Sequence, residues 1–469
     1  MLLESATSGC EATLATCEQP GDYDRPVIHQ PRPISEGLPP YAIALAEHGR
    51  NGRMVVYAGA GMSRAEPTAL PLGEEVARSL YDRLRGPFPQ IAGCDPGDLT
   101  SVADAVTAQP GGEEALRLAA SRVAEFTTAT PAYGHRVLAQ LLLEGVVDAL
   151  TTNWDDCIER SGGREWVPVV VTEGDLLDIP AHSLLKIHGC ARRPASLLIT
   201  TEHLDQPPAW VNDQTRARLG TSVLAFVGIG DVAGYVGRRI EEAIDSVGDA
   251  DNVRIVGPDI VDNWASSAWS TLTPDLSVEH RIPATSDQFL EQVGGAYVHV
   301  NLADLIEKVR DDERLAEAAT IAVSAIEQHD ALQVLVWLRE GAVVAPPGRS
   351  VLGSETMDAA VLALGLLLGG GFEISAERIV VSDDRRFEVL TATGTQPASR
   401  LRREARNRLE QHLGRGLSPP TFLVAGGVGW GHANSDGPSD IVGDGHPDDL
   451  INGPLSAEPA ILRAEEVIG

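Results

Sequence analysis

Three short segments place polar side chains or glycines directly after apolar runs. The first is GAGMS, residues 59–63, which follows the apolar run MVVYA. Glycines in such a turn let the backbone approach a pyrophosphate closely, and exposed amides at a helix start favour its negative charge. Because the spacing is not a complete GxGxxG, a glycine turn with a purely structural purpose is the alternative.

The other two segments carry side chains suited to proton transfer and hydrogen bonding. Asn153 and Asp155 lie in TTNWD, and His188 lies in KIHG. An imidazole with a pKa of about 6.5 accepts a proton near neutral pH. Structural alternatives exist for each residue: a hydrogen-bonded histidine at a strand end, an asparagine helix cap, and an aspartate that interacts with the helix dipole.

Apolar runs alternate with amphipathic stretches from residue 41 onward, which predicts strands alternating with helices around a parallel sheet. Most of the runs are too apolar for a solvated face, as in sheets covered on both sides. The predicted strands are Met54–Ala58, Val146–Leu150, Val167–Val171, Leu184–Ile187, Val223–Val227, Val253–Gly257 and Val278–Ile282. The carboxyl ends of parallel strands share one edge of a sheet, so we expect the three segments to meet there.

A helical subdomain is predicted between the first two strands, because about ninety residues separate them and a single crossover needs far fewer. The segments with helical spacing are Glu74–Leu84, Leu99–Ala108, Glu113–Phe126 and His135–Glu144. The crevice between this subdomain and the sheet is a natural place for a ligand.

The chain divides into three predicted parts. Residues 1–40 are rich in proline, glycine and polar residues and are interpreted as a flexible leader. Residues 41–300 form the sheet domain, and residues 301–469 form a C-terminal domain with a helical pattern from Leu302 to Glu340 and strand-like runs after it. The predicted fold is α/β, a Rossmann-like parallel sheet with an inserted helical subdomain, plus a C-terminal mixed α+β domain.

Two segments of the C-terminal part carry clustered polar residues. One is an arginine-dense stretch on a predicted helix, which is either a solvated face or a surface for an acidic partner. Its arginines are Arg400, Arg402, Arg403, Arg406, Arg408 and Arg415. The other is a Gly-rich acidic stretch that matches no EF-hand or zinc pattern, so we interpret it as a loop. Its candidate ligands are His432, Asp436, Asp440, Asp444 and His446.

Composition restricts the partners and the compartment. The formal net charge of −30 disfavours nonspecific binding to nucleic acid or to an anionic membrane. The apolar stretch from Ala359 to Phe372 is shorter than the roughly 20 residues of a membrane-spanning helix. Residues 1–10 lack the features of a secretory signal, so we expect a cytoplasmic protein. No two of the five cysteines form a CxxC, which excludes a four-thiolate zinc site of that kind and predicts no metal.

The succession of GAGMS, TTNWD, IHG and the later VGIG at residues 227–230 resembles the sirtuins, in particular their bacterial sirtuin-like relatives with an NAD-consuming domain. The resemblance covers roughly residues 41–300. It implies a Rossmann-type domain with a small helical module and with NAD in the crevice between them.

The resemblance also implies roles for individual residues. Asn153 and Asp155 look like the pair that faces the nicotinamide ribose and carboxamide, and His188 looks like the catalytic histidine. The remaining candidates would bind NAD: Gly59, Ala60, Gly61 and Ser63 as the pyrophosphate loop, Thr152 in TTNWD, and Gly228 on the adenosine side. Ile229 and Gly230 depart from the family, which more often has Ser or Thr at those positions.

Two departures bear on the expected activity. Deacylating sirtuins carry two CxxC pairs after the histidine, where this chain has only Cys190, and a GIPDFR-like stretch where this chain has AEPTALPL. Without the zinc module, the groove for an acyl-lysine peptide lacks one wall. NAD hydrolysis needs only the nucleotide, a water and the catalytic residues, so it is favoured over deacylation.

The expected function is therefore NAD hydrolysis to nicotinamide and ADP-ribose, with a cyclic product left open. Sirtuin-like domains of this kind resemble effectors of bacterial antiphage defence, which implies a homo-oligomer and a partner protein such as an ATPase. Two alternatives remain open. One is a noncatalytic module that binds NAD or ADP-ribose, and the other is a protein ADP-ribosyltransferase or deacylase.

Overall fold

The structure, a computed structural model, describes residues 29–163, 166–178, 181–220, 222–230, 234–341, 347–376, 379–382, 387–391, 407, 421–426 and 460–463. Among these residues, no helix combines the length and the apolar character needed to cross a bilayer. The arginine-dense stretch and the acidic C-terminal stretch singled out in the sequence lie outside the described residues, apart from Asn407.

The larger sheet has seven parallel strands in the order β3-β4-β2-β1-β5-β6-β7. Its strands are β1 (Met54–Ala58), β2 (Asp148–Thr151), β3 (Val169–Val170), β4 (Leu184–Lys186), β5 (Val223–Val227), β6 (Val253–Val256) and β7 (Arg281–Ile282). The α/β fold class is thus confirmed, and each of the seven predicted segments overlaps a strand, although β3 and β7 are shorter than predicted. Successive strands leave β1 first on the side of β2 and later on the side of β5, which makes the carboxyl end of β1 the switch point of the sheet.

Helices surround this sheet and continue beyond it. They are α1 (Pro40–Arg50), α2 (Gly73–Leu84), α3 (Leu99–Thr107), α4 (Gly112–Ala120), α5 (Tyr133–Leu143), α6 (Cys157–Arg160), α7 (Thr201–Asp205), α8 (Ala209–Leu219), α9 (Gly234–Val247), α10 (Trp269–Leu272), α11 (Ser286–Val309), α12 (Glu313–Ile326), α13 (Ala331–Gly341) and α14 (Glu355–Gly369).

Both faces of the central strands are buried, which is why their sequences are continuously apolar. Val56 belongs to a core shared with α1, α5 and α11. Tyr57 points to the other face and packs on Phe226 of β5, in a core shared with α8 and α9. Alternation along β1 therefore builds two separate cores, one on each side of the sheet.

Of the four segments predicted for the helical subdomain, three are present as α2, α3 and α4, which pack together around their own apolar core. The fourth, α5, packs instead in the core that contains Val56. The helix predicted to reach Phe126 ends earlier, at Ala120. Phe126 instead packs edge to face against Trp154, and its carbonyl accepts a hydrogen bond from the Asp156 N–H. The chain leaves the helix because these contacts tie it to the segment after β2.

The long helical pattern predicted from Leu302 to Glu340 corresponds to the end of α11 followed by α12 and α13. Asp312 and Asp330 cause the breaks, because their side chains accept hydrogen bonds from the first N–H groups of the next helix. The boundary predicted near residue 300 falls inside α11, whose first part packs with α1 and α5. The last part of the predicted leader also packs on α11, since the Arg32 N–H donates to Glu291 and Ile34 is buried.

A second sheet follows α14, with the order β12-β11-β10-β9-β8. Its strands are β8 (Phe372–Ala376), β9 (Ile379–Ser382), β10 (Phe387–Thr391), β11 (Thr421–Gly426) and β12 (Ala460–Arg463). It mixes antiparallel pairs, from β8 to β10, with parallel pairs, from β10 to β12. Together with α12 to α14 it gives the C-terminal part both helices and a mixed sheet.

A buried ion pair joins α5 to α13. Arg339 Nη1 lies 2.9 Å from Glu144 Oε1, and both side chains are almost completely buried. The second carboxylate oxygen of Glu144 accepts hydrogen bonds from the N–H groups of Val351 and Leu352. Glu144 precedes β2, so this pair lies at the edge of the sheet opposite the carboxyl ends of the strands.

Candidate functional site

Four strands, β1, β2, β4 and β5, end level with one another at the segments GAGMS, TTNWD, KIHG and VGIG. Ala58 pairs with Thr151 on one side and with Val227 on the other, and Thr151 pairs with Lys186. The residues that follow these four positions therefore emerge side by side at one edge of the sheet.

A cleft of about 1040 Å³ lies at this edge, between the sheet and the helical subdomain. That volume is large enough for a sizeable organic ligand. All nine residues predicted from the sequence line it: Gly59, Ala60, Gly61, Ser63, Thr152, Asn153, Asp155, His188 and Gly228. The structure thus brings them together, while their roles stay predictions.

The loops that follow β1 and β5 pack so closely against each other that glycines are required in both. Gly59 N–H donates to Val227 O at 2.9 Å, and Gly61 N–H donates to Gly228 O at 2.7 Å. A Cβ atom on Gly61 would lie 2.7 Å from Gly228 O, and one on Gly228 would lie 2.3 Å from Met62 N. The structural alternative for the glycine turn therefore holds, whatever the cleft binds.

Replacing Gly228 with alanine is expected to destabilise the protein. Gly228 has a φ of +68°, which alone costs an alanine about 1–3 kcal/mol, and the contact with Met62 N adds to that cost. The midpoint of urea unfolding measures the effect. Gly230→Ala is the matched control, because a Cβ there meets nothing within 4 Å. Equal midpoints for the two variants would contradict the interlocked loops.

Ser63 is the centre of a buried hydrogen-bond network beneath the cleft. Its hydroxyl donates to Asp155 Oδ2 at 2.8 Å and accepts from Asn153 Nδ2 at 3.2 Å. His135 Nε2 lies 3.1 Å from the same oxygen. The Ala132 N–H donates to His135 Nδ1, so the neutral ring carries its proton on Nε2 and donates it to Ser63. Every partner of the serine hydroxyl is thereby fixed.

His135 contacts the site from outside the sequence motifs. Burial lowers the pKa of this histidine, so it is neutral at pH 7 and serves as a donor to Ser63. It occupies the third position of α5, where its side chain meets the N–H of the N-cap residue Ala132. That helix-start position is the local signal that could have drawn attention to it.

Asp155 is ionised and holds its neighbours in place. Burial raises the pKa of Asp155, but the positive charge of Lys186 and hydrogen bonds from Cys157 N–H and Ser63 outweigh this and keep it below its usual value. Its Oδ1 accepts from the Cys157 N–H at the start of α6, at 3.0 Å. This oxygen therefore stabilises the start of α6, which is the structural alternative stated for Asp155. The residue also lines the cleft.

Asn153 and His188 each present a polar atom without a partner. The Asn153 amide nitrogen donates to Gly59 O at 3.0 Å as well as to Ser63, which leaves Oδ1 free. Asn153 Oδ1 and His188 Nε2 are buried and have no hydrogen-bond partner within the described part of the chain. Asn153 does not cap α6, whose N-cap residue is Asp156. Since a buried polar atom left unbonded costs about 1–3 kcal/mol, both atoms favour a bound partner in the cleft.

His188 is held in its neutral form. Burial, assisted by the positive charge of Arg239, lowers its pKa to about 3. Arg239 is itself buried, donates to the carbonyl of Leu204, and is paired with Glu242. At neutral pH the ring therefore has one nitrogen available to accept a proton or a hydrogen bond.

The two buried histidines are expected to make the protein less stable as the pH falls below about 6.5. In the folded chain the pKa of His188 is about 3 and that of His135 is also lowered. Between these values and 6.5 the unfolded chain binds more protons, so the free energy of unfolding falls by up to about 1.4 kcal/mol per pH unit for each histidine. Urea unfolding between about pH 7.5 and pH 4.5 measures this slope.

His188→Gln removes one of the two titrating groups and should show a shallower dependence on pH than the wild type. Both proteins should respond equally above about pH 7.5, where neither state takes up a proton at this position. Identical slopes at lower pH would contradict the lowered pKa of His188.

Three buried side chains next to the cleft are of the types that bind metal ions. One ligand atom from each of His135, Asp155 and Cys157 lies within 4.8 Å of the others. All three already have partners within the protein, and burial raises the pKa of the Cys157 thiol. A thiol that stays protonated is a poor metal ligand. The absence of a metal stays a prediction.

Two residues next to the predicted site residues, Trp154 and Cys190, have contacts within the protein. Trp154 lines the cleft and packs against Phe126, with ring centroids 5.9 Å apart. Cys190 is buried, which raises the pKa of its thiol and makes it a poor nucleophile. It pairs with Arg193 in a tight turn.

Two exposed arginines that the sequence analysis did not select also line the cleft. Arg64 forms an ion pair with Glu75 at 2.8 Å, and Arg238 forms one with Asp205 at 2.7 Å. Exposed ion pairs of this kind are weak, so either guanidinium is free to exchange its carboxylate for a phosphate.

Residues 148–258 match the family model of the SIR2-like domain. The matched stretch runs from β2 through β6 and includes Asn153, Asp155, His188 and Gly228, whereas the glycine loop after β1 lies outside it. No curated protein matches the chain in sequence.

One solved structure to which the chain is similar is a mutant Sir2 homologue in complex with ADP-ribose. The two chains are 15% identical, with a TM-score of 0.34, and the alignment covers 53% of this chain and 93% of the other.

Proposed function

We propose that this protein is an NAD glycohydrolase, which cleaves the bond between nicotinamide and ribose to give nicotinamide and ADP-ribose. The observation that carries the proposal is the pair of buried, unpartnered atoms, Asn153 Oδ1 and His188 Nε2, in a cleft at the switch point of the sheet. The SIR2-like stretch that contains both residues supports NAD as the substrate.

The polar atoms of the cleft match the parts of a dinucleotide. The interlocked glycine loops present main-chain groups beside Arg64, on the side where a pyrophosphate would bind. Asn153 Oδ1 would accept a hydrogen bond from a ribose hydroxyl or from the attacking water. Asp155 would keep Ser63, and through it the amide of Asn153, in a fixed orientation.

The reaction needs a group that takes up a proton close to the ribose. The glycosidic bond breaks with its electron pair going to the nicotinamide nitrogen, and water forms a new bond to the anomeric carbon. The proton released by that water passes to His188 Nε2 and then to solvent. Positive charge develops on the sugar as the neutral base leaves, and the carboxylate of Asp155, which lines the cleft, would oppose it.

The low pKa of His188 in the free protein is compatible with this role. It keeps the ring neutral and therefore ready to accept a proton. The negative charge of a bound pyrophosphate would raise the pKa of the ring toward the range in which proton transfer is efficient.

Hydrolysis fits the cleft better than deacylation of a protein. The turn from Cys190 to Arg193 is followed directly by the short helical turn Pro194–Ser196 and by α7. This short connection offers no second module against which an extended peptide could lie, within the part of the chain that the structure describes.

The proposal is tested by incubating the purified protein with NAD and following nicotinamide and ADP-ribose by chromatography. Equal amounts of both products are expected from the wild type, and much less of each from Asn153→Ala. Intact NAD in the wild-type reaction, in the presence and absence of infected-cell lysate, would favour the alternative of a noncatalytic NAD-binding module. Labelled or deacylated protein would favour the transferase or deacylase alternative.

The biological role proposed for this activity is depletion of NAD during antiphage defence, by analogy with other sirtuin-like domains. It predicts that cellular NAD falls during infection in cells that carry the wild type and stays level in cells that carry His188→Ala. The homo-oligomer and the partner ATPase implied by the same analogy stay predictions.

A further inference from the structure

Lys186 is a buried lysine that takes no part in the proposed proton transfer. Only 1% of its side chain is exposed. Its ammonium group donates to the main-chain carbonyl of Asp155 and lies 3.0 Å from Oε1 of Glu159, which is 5% exposed. Burial lowers the pKa of Lys186, but Glu159 raises it more, so the ammonium stays charged.

The position of Lys186 joins two parts of the candidate site. Lys186 is the last residue of β4, and His188 follows two residues later. Asp155 and Glu159 belong to the segment that follows β2, the neighbouring strand. A single side chain therefore links the loop that carries His188 to the segment that carries Asn153 and Asp155.

The hydrogen bond from Lys186 to the main-chain carbonyl of Asp155 constrains the direction of the Asp155 side chain. The Asp155–Asp156 peptide can turn only if this carbonyl loses its charged donor. Turning it would move the carboxylate away from Ser63 Oγ, now 2.8 Å from Oδ2, and would release the network that holds the Asn153 amide. Charge-assisted hydrogen bonds of this type are stronger than neutral ones.

Stability alone is a poor explanation for this ion pair. Replacing a buried pair with apolar residues of similar volume is often neutral or stabilising, because the desolvation of both charges is avoided. The second oxygen of Glu159 also has no hydrogen-bond partner among the described residues, so the pair is not fully satisfied.

We propose that Lys186 is a positioning residue, which aligns the Asn153–Asp155 segment with His188 by holding the main-chain carbonyl of Asp155. Glu159 keeps the ammonium group in place for this contact. The inference rests on the proposed hydrolysis of NAD for its kinetic consequence, but its structural consequence is independent of that activity.

Two variants separate positioning from stability. Lys186→Met combined with Glu159→Leu removes both charges and the donor to Asp155. Its melting temperature should stay close to that of the wild type, while kcat for NAD hydrolysis falls by about 10²-fold and KM changes little. Glu159→Gln keeps an oxygen for Lys186 but leaves the ammonium without a counter-charge. It should melt at a lower temperature, and its kcat should fall much less than that of the double variant, because Lys186 can still donate to the carbonyl of Asp155.

A crystal structure of the double variant gives a readout that needs no activity. The expected result is a longer distance between Asp155 Oδ2 and Ser63 Oγ than the 2.8 Å of the wild type. A wild-type kcat in the double variant, or an Asp155 carboxylate that has not moved, would overturn the proposal. If the wild type leaves NAD intact, the proposed function fails, and the Asp155–Ser63 distance still decides whether Lys186 positions this segment.

Discussion

His188→Ala is expected to lower kcat for NAD hydrolysis by about 10²- to 10⁴-fold, which is the usual contribution of a general acid or base. The reason is local: His188 lines the cleft together with Asn153, and its Nε2 is buried without a hydrogen-bond partner among the described residues. Release of nicotinamide from saturating NAD, followed by chromatography, measures the change. Nε2 bonds to no described group, so its loss should leave the fold intact.

The control for this experiment is a histidine with a lowered pKa that lies away from the cleft. His280 meets that description: it directly precedes β7, and burial lowers its pKa. His280→Ala should turn over NAD like the wild type. Calorimetry with ADP-ribose separates binding from chemistry, since His188→Ala should still bind it. A His188→Ala protein with more than half of the wild-type kcat would rule out the proposed proton transfer.

Glu144→Gln is expected to lower the free energy of unfolding by about 3–5 kcal/mol, the cost of breaking a buried ion pair from one side. The substitution removes the negative charge that lies 2.9 Å from the buried guanidinium of Arg339. It also places an amide where Glu144 Oε2 now accepts from Val351 N–H at 2.8 Å. Urea unfolding at neutral pH measures the loss.

An exposed ion pair on α11 provides the comparison. Glu307 pairs with Arg310 at the surface, so Glu307→Gln should change the free energy of unfolding by less than about 1 kcal/mol. Under native conditions Glu144→Gln should still bind ADP-ribose, because Glu144 lies at the edge of the sheet opposite the cleft. Similar unfolding midpoints for the two variants would contradict the structural importance of the α5–α13 connection.

The strands were predictable where burial on both faces makes an apolar run coincide with a strand. β1 and β5 have the bounds that the sequence predicted, and every one of their residues is buried. β7 is shorter than predicted because only Arg281 and Ile282 pair with β6. Val278 before it is 63% exposed and belongs to a short helical turn, so its apolar character carried no information about pairing.

The location of the site was predictable from the sequence. The hydrogen bonds and ion pairs within it were less predictable. Asn153, Asp155 and His188 come directly after strands, and the rule that parallel strands bind ligands at their carboxyl ends was sufficient to bring them together. His135 and Lys186 reach the same place from a helix and from inside a strand. Their contacts depend on tertiary packing, which no spacing in the sequence encodes.

Helix α11 determines how this protein can be divided for experiments. It runs without a break from Ser286 to Val309, and Phe289, Leu290 and Val293 are buried on the core that faces the sheet. A recombinant fragment that stops at residue 300 would end in the middle of this helix and would expose the apolar surface of its remaining turns. Limited proteolysis should accordingly find no accessible bond within α11, and fragments that contain the larger sheet should be designed to retain the whole helix.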